Sequence, residues 1–118
     1  MTTQALYTKV LQSQVQVYQD TVYLTGRVAD TAPLENDLST QAANTLMAIE
    51  QLLNDAGSDK TRLLSATIYL KDVDADLETM DRIWNQWLPE GVIPIRAAMD
   101  VEQLAPDVLV EIAITATL

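Results

Sequence analysis

The chain predicts an α+β fold in which two helices stack on one face of a mixed sheet. Apolar residues alternate with a period of two in several short stretches, as half-buried strands require. They recur at spacings of three and four in two longer stretches, as amphipathic helices require. No internal repeat, low-complexity tract or linker interrupts the 118 residues, so residues 1–118 form one domain with a single hydrophobic core.

Residues 4–12 read as an edge-type strand with imperfect alternation. Ser13–Tyr18 and Thr21–Gly26 alternate around Gln19-Asp20, a two-residue polar link that signals a hairpin. Residues 27–36 carry Asp30, Pro33 and Asn36 without periodicity and read as a loop. A long helix starts near Asp37, whose carboxylate can cap free N–H groups. Ala42, Leu46, Ile49, Leu53 and Ala56 form its apolar stripe, and Gly57 supplies the left-handed stop. Gln41, Asn44, Glu50, Gln51 and Asp55 are expected on its solvent face.

The strand at 63–70 is expected to place Leu64, Ala66, Ile68 and Leu70 on one side. Ser65, Thr67 and Tyr69 then fall on the other, polar enough for a wet interface or a pocket. After the turn at Lys71–Asp74 comes a second helix, capped by Asp74 or a neighbour. Its stripe is Leu77, Met80, Ile83/Trp84 and Trp87/Leu88, and Pro89 and Gly91 end it. Val92–Val101 and Val108–Thr117 read as the closing strands, with Pro94 near the start of the first, where a missing N–H is harmless. The order is β-β-β-α-β-α-β-β. Hairpins pair antiparallel, and each crossover through a helix permits a parallel pair. The sheet face away from the helices, with Val and Ile alternating against Thr, Tyr and Arg, is too apolar for water and predicts an oligomer interface.

Composition narrows the chemistry. The formal net charge is −10, spread along the chain, and such a field disfavours nucleic acid. An anionic small molecule needs a local cation to override it, and only seven Lys and Arg are present. The absence of cysteine excludes disulfides, thiol nucleophiles and thiolate metal sites, and the absence of histidine removes the commonest general base and transition-metal ligand. No cofactor or metal is expected. No basic leader and no long apolar run is visible, so the expected setting is cytoplasmic with no membrane partner. No GxGxxG, Walker loop, HExxH or EF-hand spacing occurs; Asp72-Val73-Asp74-Ala75-Asp76 lacks the glycine and glutamate of a calcium loop and fits a capped helix start. Thr61 and Arg62 read as turn and surface residues, and Arg27, after Gly26 at a strand end, reads as a surface residue with a cleft mouth as the alternative.

Two lone charges stand out in the two closing strands, which read as adjacent. Arg96 lies between small and apolar neighbours, with Ala98 and Asp100 on its side of the strand, and Glu111 interrupts Val110 and Ile112. A guanidinium offers a planar fork of donors suited to a carboxylate. Either Arg96 and Glu111 pair with each other or with surface neighbours, or they mark a pocket.

The chain resembles the RidA (YjgF/UK114) family from Ser13 onward, through Asp20–Gly26, Ala56-Gly57, Leu64–Asp72, Pro94-Ile95-Arg96-Ala97 and Val110-Glu111-Ile112. The resemblance implies a chorismate-mutase-like α+β fold, a homotrimer and clefts between subunits. It also implies hydrolysis of reactive 2-enamine and 2-imine acids to 2-oxo acids and ammonia. Arg96 matches the arginine that grips the substrate carboxylate, and Glu111 matches the glutamate that orders the attacking water. Departures surround them. Gln12 stands in place of a tyrosine, Thr25 of a serine, Ala98 of a cysteine and Asp81 of an asparagine. These place the chain nearer to branches diverged from the archetypal deaminases. The resemblance implies catalysis by Glu111 and substrate binding through Arg96, Thr25, Gln12 and Ala98.

Two functions compete. One is cofactor-free imine hydrolysis, which needs only an oriented water and a proton acceptor. The other is a trimeric binding protein that captures small carboxylates without turnover. A pericyclic mutase, suggested by fold analogy alone, would want more cations near Arg96 than the sequence offers.

Overall fold

Alternation over Gln14–Tyr18 (β1) and Thr21–Gly26 (β2) closes into an antiparallel hairpin that opens a five-stranded sheet. A computed structural model describes residues 14–26, 37–102, 104 and 107–118. Gln19 takes a positive φ of 53°, the left-handed geometry a two-residue hairpin link favours. The remaining elements are α1 (Leu38–Asp55), a 3₁₀ turn (Lys60–Arg62), β3 (Leu63–Leu70), α2 (Val73–Trp87), β4 (Ile95–Asp100) and β5 (Val110–Thr117). The sheet order is β1-β2-β5-β3-β4, and β3–β4 is its one parallel pair among the described residues. The crossover through α2 therefore gives the expected parallel neighbours. That through α1 does not, because β5 inserts between β2 and β3, antiparallel to both.

One face of β2, β5 and β3 is sealed. Val22 and Leu24 of β2, Ala66, Ile68 and Leu70 of β3, and Val110, Ile112, Ile114 and Ala116 of β5 are buried against the helices. From α1 come Leu38, Ala42, Leu46, Ile49, Leu52 and Leu53, and from α2 Met80 and Trp84. Each fully buried aliphatic side chain contributes roughly 1.5–3 kcal/mol before entropy is charged against it. Asp37 caps α1, accepting from the Ser39 N–H at 3.0 Å, and the Thr40 hydroxyl bond holds its carboxyl below the usual range. Gly57 follows α1 at a φ of 93°, as its stop position requires. Asp72, rather than Asp74, caps α2 through the Ala75 N–H.

Several expectations shift. The strand expected at 4–12, the loop at 27–36 and Gln12 lie outside the described residues. The expected strand at 92–101 narrows to Ile95–Asp100, since Gly91 turns at a φ of 85° and Pro94 has no ladder donor. Leu64 is exposed and Leu63 buried, reversing the expected alternation there: the register slips between Leu63 and Ser65, and the extra residue flips outward.

Gln41 reverses more sharply. It is not on a solvent face but 1% exposed. Its Nε2 donates to the Asp107 carbonyl and its Oε1 accepts from the Leu109 N–H, both at 2.8 Å. The clamp takes the Leu109 donor away from the sheet, which is why β5 begins at Val110 and not at Val108. Asp107 just before it adopts a φ of 65°. Gln41→Leu should keep the volume yet orphan a donor and an acceptor, lowering stability by about 1–3 kcal/mol. A chemical-denaturation midpoint unchanged from wild type would show that the clamp contributes nothing.

Candidate functional site

The alternation that buries Val110 and Ile112 places Glu111 on the open face of the sheet, half-exposed. Its partner across β3 is Tyr69, which pairs on its other side with Met99 of β4. The next row on that face runs Thr25, Ala113, Thr67, Ala97. A further row brings Tyr23, Thr115, Ser65 and Ile95 together, with the Ser65 and Thr115 hydroxyls 2.6 Å apart. Thr25 and Glu111 thus share a face on the neighbouring strands β2 and β5, and Thr67 and Tyr69 stand on the same face of β3, across β5 from Thr25. This hydroxyl-rich surface with one carboxylate can hold and polarise a water molecule.

Arg96 falls elsewhere. In the parallel register it sits opposite Ala66, a core residue, so it belongs to the helix side of the sheet, at its β4 edge. The expectation that the face away from the helices carries Arg96 is therefore corrected. The parity of β4 is fixed by its pairing with β3, and Ala66, Ile68 and Leu70 are the inward set. Ala98, opposite Ile68, shares the Arg96 side. Arg96 and Glu111 also do not lie on adjacent strands. β3 separates them, about 10 Å at the usual strand spacing, and they project from opposite faces. They do not pair with each other.

Arg96 pairs instead with Asp81 of α2, Nη1 to Oδ1 at 2.6 Å. The short distance marks a charge-assisted hydrogen bond, and both side chains keep partial solvent contact. Asp81 also lines a shallow depression with Val73, Asp74, Leu77 and Glu78. On the same helix, burial pushes the Asp76 carboxyl above its ordinary range, and the Asp72 charge adds to the effect. The Arg96–Asp81 contact escaped sequence reasoning because the helix phase relative to the strand edge is a tertiary fact. The aspartate itself was visible only as a departure from the asparagine that the family resemblance implies there.

Ile93, Ile95 and Met99 are exposed along the same edge, at 90%, 80% and 50%. A second surface feature lies at the far end of α2. Glu50 accepts from the Trp87 indole N–H at 3.1 Å and pairs with Lys60, whose ammonium stands 5.2 Å from the Trp87 ring centroid. These contacts tie α1, α2 and the 3₁₀ turn together. Among the described residues, no group of His, Cys, Asp and Glu is arranged to hold a metal, and no helix is long and apolar enough to cross a membrane.

A family model described as Endoribonuclease L-PSP matches residues 2–118. The RutC family protein YoaB of Escherichia coli strain K12 is 36% identical over 104 residues, covering 88% of each chain. A crystal structure of a YjgF family member from Neisseria meningitidis superposes with a TM-score of 0.78 at 32% identity, covering 87% of this chain and 83% of that one. RidA from the Antarctic bacterium Psychrobacter sp. PAMC 21119 has the same fold, with a TM-score of 0.80 at 23% identity over 92% of this chain and 89% of that one. Fold and comparisons agree on the class, that of small α+β proteins with two helices on one face of a five-stranded sheet. This chain belongs to the RidA (YjgF/RutC) family.

Proposed function

We propose that this chain hydrolyses reactive 2-imino acids to 2-oxo acids and ammonia without a cofactor, in clefts between the copies of a homotrimer. The observation that carries the proposal is the placement of Arg96 and Glu111 on opposite faces of one sheet. A ligand of three or four carbons cannot span the two within one chain. A second copy whose open face meets the β4 edge of the first brings a Glu111 toward an Arg96. The exposed Ile93, Ile95 and Met99 give that meeting an apolar contribution, at about 25 cal/mol per Å² before association costs.

The chemistry suits the residues. Arg96 holds the ligand carboxylate, and water adds to the iminium carbon while Glu111 takes its proton. The resulting carbinolamine collapses to the ketone, and the proton leaves with the nitrogen: iminium plus water gives 2-oxo acid plus ammonium. Thr25 and Ala98 would line the cleft, Ala98 without a polar contact; Gln12 joins them by the family resemblance alone. With Ala98 and Gln12 in place of a thiol and a phenol, turnover should be modest, since small losses of positioning cost on the order of a hundredfold. Cleavage of RNA, which the family model's description names, fits poorly with a net charge of −10 and no histidine.

Light scattering at micromolar concentration should give three times the 13.0 kDa chain mass, and a monomer would sink the cleft. Arg96→Ala should abolish calorimetric binding of 2-oxo acids while the assembly stays folded. Arg96→Lys should recover only part of the affinity, because an ammonium cannot reproduce the planar fork. Glu111→Gln should keep binding but lose ammonia release from imines generated by an amino-acid oxidase; a fully active variant would remove the role given to Glu111. Ligand binding with no ammonia release from any imine would identify a carboxylate-binding protein.

A further inference from the structure

The carboxylate already seated on Arg96 belongs to the protein. Asp81 engages Nη1 at 2.6 Å, so a ligand carboxylate must share or displace it to reach the guanidinium fork. Any displacement leaves Asp81 beside two acids of the same depression, Asp74 and Glu78. A displaced carboxylate in that setting needs a new cation.

We infer that Asp81 is a specificity-determining residue that selects ligands carrying a cationic nitrogen next to their carboxylate, over 2-oxo acids of the same skeleton. The inference rests on the reading of Arg96 as the carboxylate anchor. Arg96 and Asp81 together are neutral. A 2-oxo acid makes the cluster of three charges net negative and leaves Asp81 unpaired, whereas a zwitterion keeps it neutral and gives Asp81 a partner. Like-charge juxtaposition discriminates between ligands more strongly than it contributes raw affinity. For the proposed reaction the consequence is directional. The protonated imine carries the cation and the 2-oxo product does not, so Asp81 favours substrate capture and product release.

Calorimetry with alanine, a stable stand-in for the iminium, and with pyruvate tests this on wild type, Asp81→Asn and Arg96→Ala. Wild type should bind alanine about tenfold more tightly than pyruvate. Asp81→Asn should reverse the order, with pyruvate binding strengthened about tenfold and alanine weakened. Asp81→Ala is a second variant in which the same reversal is expected, and thermal melts confirm that each protein is folded. If both variants keep the wild-type preference while Arg96→Ala loses both ligands, the role of Asp81 is overturned and the Arg96 anchor stands. If Arg96→Ala binds both ligands as wild type does, the anchor itself is wrong. Failure of wild type and Asp81→Asn to bind either compound at millimolar concentration overturns both readings.

Discussion

Strand parity governs this molecule. Side chains on a strand alternate between faces, so the burial of Val110, Ile112, Ile114 and Ala116 against the helices fixes where every other residue of β5 projects. Glu111 has no freedom to turn inward unless the whole strand slips by one residue and exposes the core. The Gln41 clamp sets the starting point of that register by holding the Leu109 N–H and the Asp107 carbonyl just before the strand begins. The same rule carried through β3 to β4 assigns Arg96 to the opposite side. The separation of the two charges is therefore a by-product of how the core is packed.

Much of the fold was legible because its signals are local. The stripes on the two helices, the Gly57 stop and the hairpin at Gln19-Asp20 depend on residues within a few positions of one another. What could not be read were facts set by distant contacts. Leu64 looked inward because strict alternation puts it there, and only the register slip against Ala116 and Thr115 moves it out. Gln41 looked solvent-facing because amides usually are, and its true environment depends on a loop some 66 residues away. The insertion of β5 between β2 and β3 is equally invisible locally, since a crossover fixes the direction of the strand it leads to but not its neighbour.

The candidate site shows the same division. Residue types alone picked out Arg96 and Glu111, because a charge inside an apolar strand is uncommon. Their relation to each other was misjudged, since chain order suggested adjacent strands where the sheet places β3 between them. Thr25 falls on the face of Glu111, and Ala98 on the side of Arg96. The partner of Arg96 depends on how α2 lies across the sheet edge, which no spacing rule reports. An acidic protein with few cations thus has one of them held by a neighbouring acid, and its anion affinity is set by a competition inside the chain.

The outer position of β4 has a consequence for handling the protein. Among the described strands it has a paired neighbour on one side only, and Ile93 and Ile95 stand bare at its start. An uncovered strand of this kind is a template for indiscriminate pairing with other chains, which proteins usually blunt with charge, proline or a bulge. Pro94 immediately before the strand removes one donor from that template, and Arg96 and Asp100 add charge along it. The protection is partial, so chains that are crowded or slow to refold are the ones exposed to misassociation. Slow refolding at high concentration is the condition in which aggregates should start, and they should start from this edge.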